Sequence, residues 1–307
     1  MDRYLTERAK CLLNATDNQR IEELENESII EHPLYVETTN RMQKLFLKSP
    51  KRGMDCMMIV GPTGMGKTQL LVDFEESHPP FRDEEGELQR PVVYVTLNSG
   101  PSAKRFFTRL VTTLKIPISL TSMMPALEAT VLNTLKAYKT RMIIIDEIQN
   151  VENALTKNQK VEFLNLLRDL NESLQIPVVV CGIEDSLMAL NSDGQLGRRF
   201  HPLVTIPKWE FSDIARNLLA DFEATLPLRK PSNLHETMLA TQILEMSEGL
   251  TGYIGKLIRQ AAIKAIQTET EAITADLLTN LEWKQPRTQF SDAANEFYKL
   301  IKKPRSG

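Results

Sequence analysis

Eight consecutive residues, Gly61-Pro62-Thr63-Gly64-Met65-Gly66-Lys67-Thr68, fit the pattern G-x-x-x-x-G-K-[ST] in full. The glycines let the backbone curl so that successive N–H groups converge on one small volume, an arrangement suited to phosphate oxygens. A helix starting there adds the positive end of its dipole. Lys67 would reach the outer phosphates of ATP, and Thr68 would hold Mg²⁺. Gln69 completes the nucleotide-binding stretch. Such a loop needs a carboxylate for the metal and a group that orients water. About eighty residues downstream, Ile143-Ile144-Ile145-Asp146-Glu147 offers both. Asp146 would hold Mg²⁺ through water, and Glu147 would polarise the attacking water. Strand ends often carry acidic residues, so the pair is informative because it accompanies a complete phosphate loop. It favours hydrolysis over phosphoryl transfer to a small molecule.

Both motifs need strands to position them. Cys56-Met57-Met58-Ile59-Val60 runs as a buried strand into the glycine loop, and a helix is predicted from Lys67 to about Glu76. Apolar runs at 92–97, 141–146, 177–182 and 203–207 have strand length. Helices are predicted over about 102–114, 124–138 and 158–174, the last with Val161, Leu164, Leu167 and Leu170 at helical spacing. The strands are apolar throughout rather than alternating, which describes a parallel sheet covered on both faces. The acidic stretch 78–90 reads as a solvated, mobile connection. Residues 1–50 read as a polar helical segment leading into an α/β core at 51–208. A helical lid at 209–282 and a tail at 283–307 follow.

The chain has 307 residues, enough for a large core. It shows no apolar run long enough to span a membrane and no apolar leader at MDRYLTERAK, so the cytosol is the expected compartment. Cys11, Cys56 and Cys181 read as free thiols, and the four histidines form no zinc spacing with them. A net charge of −3 does not announce a nucleic-acid binder. Any DNA contact would have to come from local patches repeated in an assembly.

Beyond the third strand the spacing resembles AAA+ ATPases. That resemblance implies a five-stranded parallel sheet of order 5-1-4-3-2, a small helical lid and a site shared between subunits. It places an arginine finger in Gly197-Arg198-Arg199-Phe200, with Arg199 favoured and Arg198 in reserve; a solvated basic pair is the other reading. It aligns the lid's sensor arginine with Gly255 or Lys256 of Thr251-Gly252-Tyr253-Ile254-Gly255-Lys256, where Lys256 could contact nucleotide or be an ordinary exposed lysine. It puts a polar switch for the catalytic glutamate at Asn98. The fourth strand ends in Val180-Cys181-Gly182 instead of a polar sensor, so that role has no residue here.

Several stretches look like the TniB/TnsC family of transposition ATPases: residues 59–63, Glu162 to Arg168, Gln195 to Phe200, Leu226-Pro-Leu-Arg-Lys-Pro-Ser-Asn-Leu234, and Ser247 to Gly252. The resemblance covers about residues 28–280. It implies ATP-driven assembly as a ring or helical filament on double-stranded DNA, recruitment and activation of a transposase alongside a target-selection protein, and disassembly on hydrolysis. Lys104 and Arg105 are the DNA-contact candidates, with Lys157 and Lys160 weaker ones; for each lysine a solvated surface charge is an equal alternative. The tail, with Lys284, Arg287, Lys299, Lys302, Lys303 and Arg305 beside Phe290, Phe297 and Tyr298, could dock on a partner or fray. Competing functions are a replication initiator or helicase loader, a protein-directed signalling switch, and a small-molecule kinase. About 25 residues after the lid are too few for an appended DNA-binding domain. A kinase would need neither a neighbour's arginine nor a long helical lid.

Overall fold

The computed structural model describes residues 5–26, 30–97, 102–119, 121–154, 156–184, 200 and 203–288. The chain divides into two compact units, Pro33–Pro207 and Met1–His32 with Lys208–Gly307. Helices α1 (Glu7–Leu12) and α2 (Asp17–Glu25) therefore belong with the C-terminal helices, and α3 (Pro33–Phe46) belongs with the core. The expected segment 1–50 is split at that point.

The core sheet contains β1 (Met57–Val60), β4 (Val92–Thr96), β5 (Met142–Asp146), β6 (Val178–Gly182) and β7 (Leu203–Thr205). The strands run parallel in the order β4-β5-β6-β1-β7. Counted along the chain, these five strands have the order 5-1-4-3-2 expected of an AAA+ core. Every residue of β1, β5 and β6 is buried, as their unbroken apolar runs require. The connecting helices are α4 (Lys67–Glu76), α5 (Ala103–Thr113), α6 (Met124–Ala137), α7 (Gln149–Ala154) and α8 (Lys157–Leu174).

One parity of strand residues, including Val93, Val95, Ile143, Ile145, Val178 and Val180, shares a cluster with residues of α5, α6 and α8. Phe106 and Phe163 meet edge-on there at 5.7 Å. Leu164, Leu167 and Leu170 of α8 are buried in it, whereas Val161 is exposed, so the apolar stripe of that helix starts one turn later than its spacing suggested. The opposite parity includes Tyr94, Thr96, Ile144, Asp146 and Cys181.

The stretch 78–90 differs from the solvated connection expected of it. It holds a small antiparallel ribbon, β2 (Phe81–Arg82) with β3 (Leu88–Gln89). Asp83 organises the turn: it accepts the N–H groups of Glu85 and Glu87, the Gln89 amide, and the Lys139 ammonium at 3.0 Å. Those bonds, with Lys139 in particular, hold its carboxyl below the usual range. An acidic run thus supplies the acceptor that closes its own turn.

The second unit adds α9 (Asp213–Ala224), α10 (Thr237–Met246), α11 (Thr251–Gln267) and α12 (Ala275–Thr279). Helix α2 packs on α11. The segment 226–234, singled out in the sequence, is a structural hub of this unit. Leu226, Leu228 and Leu234 are buried. Glu223 accepts the backbone N–H groups of Ser232, Asn233 and Leu234 at 2.7, 3.0 and 2.8 Å. The Ser232 hydroxyl accepts the N–H of Ile273 at 2.8 Å. Among the described residues, no helix is long and apolar enough to cross a membrane.

Candidate functional site

The glycine loop leaves the end of β1 and turns into α4. Gly64 and Gly66 adopt φ of 85° and 80°, a region that costs other residues steric strain. Gly66 caps α4, so the first N–H groups of a ten-residue helix open into the loop. Gly61 answers a different constraint, close approach: a Cβ there would lie 2.3 Å from the carbonyl oxygen of Ile206. The Gly61 N–H bonds the carbonyl of Gly182, and the Ile206 N–H bonds that of Val60, so both neighbouring strands grip the loop's start.

Lys67 is buried, and its ammonium donates to the carbonyls of Gly61 and Pro62, both at 2.8 Å. Burial pushes it below its ordinary pKa, opposed by the nearby Cys181, Asp146 and Glu147. A lysine kept inside a loop of converging N–H groups can exchange those two carbonyls for phosphate oxygens with little chain movement. Thr68, one residue on, donates its hydroxyl to Asp146 Oδ2 at 2.7 Å. The structure thus joins the two motifs that were paired on sequence grounds across 78 positions.

Asp146 ends β5 and is buried. Its Oδ2 accepts a second bond from the Tyr94 hydroxyl at 3.1 Å, and its Oδ1 accepts the N–H of Glu147 at 2.8 Å. The following turn is fastened on both sides. The Ile148 N–H bonds the Cys181 carbonyl at 2.9 Å, and the Asn150 amide bonds the Leu97 carbonyl at 2.7 Å. Glu147 sits between these ties at φ 62°, a left-handed conformation that costs a non-glycine residue about 1–2 kcal/mol. Its Oε2 accepts a hydrogen bond from the Gln149 amide.

The hard oxygen donors Thr68 and Asp146, beside a loop of N–H groups and one lysine, fit Mg²⁺ with a polyphosphate. Of the calcium- and magnesium-like ligands expected in such a site, these two are the protein's share, and the phosphates and waters would supply the rest.

Three residues around this centre were not assigned from the sequence. Gln149 engages the glutamate. Tyr94 engages the metal-binding carboxylate, and burial beside Asp146 keeps its hydroxyl protonated far above the physiological range. Cys181, at the strand tip where the family would place a polar sensor, is fully buried on the same sheet face as Asp146. Burial holds it as a thiol, well above its usual pKa, and Asp146 pushes the same way. Strand parity places Tyr94 and Cys181 on the same face as Asp146, and that was the legible signal.

Other candidates are placed differently. Arg198, Arg199 and Asn98 lie outside the described residues, as does the side chain of Lys157. Phe200, next to the arginine pair, is buried in the core cluster. Lys104 and Arg105 are exposed in the first turn of α5, which Ser102 caps through the Arg105 N–H at 3.2 Å. Lys160 is half-buried on α8. Lys256 is exposed on α11, whereas Gly255 is buried against the Phe222 ring, where a Cβ would come within 3.3 Å. Of the tail, residues 289–307 lie outside the described residues.

A family model described as "Bacterial TniB protein" matches residues 20–211. No curated protein sequence matches the chain. Among solved structures, Cdc6p from Pyrobaculum aerophilum superposes with a TM-score of 0.59 at 15% identity, covering 82% of this chain and 67% of that one. The Aeropyrum pernix ORC2 protein, in ADPNP–ADP complexes, gives 0.58 at 15% identity, covering 84% and 70%. The Aeropyrum pernix ORC1 protein in complex with DNA gives 0.58 at 14% identity, covering 84% and 67%. At such identities the likeness concerns the AAA+ fold.

Proposed function

The chain belongs to the bacterial TniB family, and from that premise we propose that it is an ATP-hydrolysing, DNA-binding AAA+ regulator of transposition. The observation that carries the ATPase reading is the 2.7 Å bond from Thr68 to Asp146 beside the loop-held Lys67. It brings a phosphate loop, a metal-binding hydroxyl and a metal-binding carboxylate to one place.

The chain's own residues divide the work. The backbone N–H groups of residues 63–69 and the Lys67 ammonium bind and orient the phosphates. Thr68 and Asp146 would hold Mg²⁺, which when bound would neutralise charge on those phosphates. Glu147 orients the water and takes its proton at a carboxylate oxygen. The amide of Gln149 restrains that carboxylate, and release from it would bring the base into play. Arg199 of a neighbouring subunit would steady the charge developing on the γ-phosphate, and Lys256 is a further candidate for contact with nucleotide.

ATP-bound subunits would assemble on double-stranded DNA as a ring or filament, gripping phosphates through Lys104 and Arg105. Few contacts per subunit, repeated along a filament, would let a mildly acidic chain bind a polyanion. The assembly would recruit a transposase and a target-selection protein in the bacterial cytoplasm, and hydrolysis would dismantle it. The same fold in an ORC1 protein in complex with DNA supports DNA as a partner and makes a replication-initiator-like role the second reading.

The test is duplex DNA binding at near-physiological salt with ATP, with ADP and without nucleotide. Tight binding with ATP alone is expected, followed by stimulation of a cognate transposase. Binding under none of the three conditions would withdraw the DNA role and leave a protein-directed switch. ATP-dependent binding without transposase stimulation would favour the initiator-like reading.

A further inference from the structure

We propose that Tyr94 is a positioning residue that sets the metal-binding carboxylate of Asp146, and that Thr96 fixes Tyr94 for this task. The inference rests on reading residues 61–69, 146 and 147 as a Mg²⁺–nucleotide site.

Alternation along β4 separates its residues by role. Val93 and Val95 enter the core cluster, while Tyr94 and Thr96 share the other face. In the parallel pairing, Thr96 lies opposite Asp146 and Tyr94 opposite Ile144. Tyr94 is thus one step back along the strand on the same face, and its ring spans that gap so that its hydroxyl, not its backbone, meets the carboxylate. The hydroxyl has one proton, and it is directed to Asp146 Oδ2 at 3.1 Å. Its lone pair accepts from the Thr96 hydroxyl, also at 3.1 Å. The chain of donors runs one way, Thr96 to Tyr94 to Asp146, so the tyrosine's single proton is committed to the carboxylate.

Asp146 is held by donors from three elements: Thr68 of α4, Tyr94 of β4 and the N–H of Glu147 after β5. The Thr68 bond belongs to a residue that must itself serve the metal, and the Glu147 bond belongs to a strained turn. The Tyr94 bond alone comes from a group with no other duty at the site. Without it, the carboxylate loses one of these three donors. A phenylalanine would pack on this face as well as a tyrosine, so packing does not account for the hydroxyl. Hydrogen bonds that orient a metal-binding group change metal affinity even though they never touch the ion.

The experiment titrates Mg²⁺ into full-length protein holding a fluorescent ATP analogue and reads nucleotide affinity with and without the metal. Tyr94→Phe should raise the Mg²⁺ concentration for half-maximal effect by about tenfold, with any change in metal-free affinity smaller than that. Thr96→Val should move it in the same direction by roughly threefold, because one hydrogen bond further out is lost. Thermal melting of each variant shows that it is folded. An unchanged Mg²⁺ requirement in Tyr94→Phe overturns the proposal. So does an equal loss of affinity with and without metal, since that is the mark of a purely structural hydroxyl. Wild-type protein that binds no nucleotide overturns the ATPase reading itself, which is a distinct outcome.

Discussion

Replacing Arg20 by methionine should loosen the helical unit by about 3 kcal/mol. Arg20 lies on α2 with a fully buried side chain. Its guanidinium makes a two-pronged bond to Glu271, Nη1 to Oε2 at 2.8 Å and Nη2 to Oε1 at 2.7 Å. It also donates to the Pro227 carbonyl at 3.0 Å and to Asp17 at 2.7 Å. Methionine fills much of the same space, so the loss is electrostatic rather than a cavity. Removing one partner of a buried pair leaves the other desolvated, which costs about 3–5 kcal/mol. The low end applies because Glu271 keeps Arg229, through its N–H at 3.1 Å and its Nη1 at 3.0 Å. Trp209 and Trp283 are the only tryptophans and both belong to this unit, so their fluorescence follows its unfolding selectively. With a urea slope of about 1.5 kcal/mol per molar, the midpoint should fall by roughly 2 M at pH 7. Glu271→Gln combined with Arg20→Met should cost less than the sum of the two single changes. Arg20 holds the Glu271 carboxyl below its ordinary 4.5, so the contribution is complete above that pH and fades as pH falls through the lower folded value. The wild-type advantage over Arg20→Met should shrink along that acid limb. A midpoint shift below about 0.3 M at pH 7, or strictly additive costs, would refute the account.

Glu147→Gln should keep nucleotide affinity while slowing ATP turnover by at least about 100-fold, as expected for loss of a general base; turnover near the wild-type rate would remove Glu147 from that role. Gly61→Ala should force β1 from the Ile206 backbone, costing roughly 1–3 kcal/mol, and should speed hydrogen exchange at the Ile206 amide. Unchanged exchange there would contradict the close approach. His32 packs edge-on to Trp209 at 5.1 Å, and burial lowers its pKa to about 4. The unfolded chain therefore binds more protons between its ordinary 6.5 and about 4. Stability is complete above the upper value and should drop by about 2 kcal/mol between pH 7 and 4.5. His32→Gln should flatten that slope in tryptophan-monitored melts, and an unaltered slope would assign it to other groups.

The sheet was readable because fully buried parallel strands write themselves as apolar runs, and the phosphate loop because its backbone demands glycine at fixed places. The pairing of Thr68 with Asp146 was readable from what each motif needs chemically. Contacts between distant polar residues were not. Nothing local in Arg20 announces a partner 251 positions away, so the sequence does not reveal that α2 belongs with the C-terminal helices. Asp83 looked like one acid among several, although geometry makes it the acceptor of a whole turn. Tyr94 and Cys181 sat in plain view on the right strand face, yet aromatic and thiol side chains on buried strands ordinarily signify packing. The bond from Tyr94 to Asp146, and the placing of Cys181 on the same face, depend on a register that only the folded sheet supplies.

The helical unit is assembled from segments that precede and follow the core unit in sequence, and this has a consequence for synthesis. Residues 33–207 form an uninterrupted stretch and can fold as soon as they emerge. Helix α2 cannot: the Glu271 that neutralises its buried arginine is made 251 residues after Arg20. At about 5–20 residues per second, α2 waits roughly 10–50 seconds on the ribosome with its guanidinium in water. The polar character of residues 5–26 suits a segment that must stay in water through that interval, and the ion pair can close only once Glu271 has emerged.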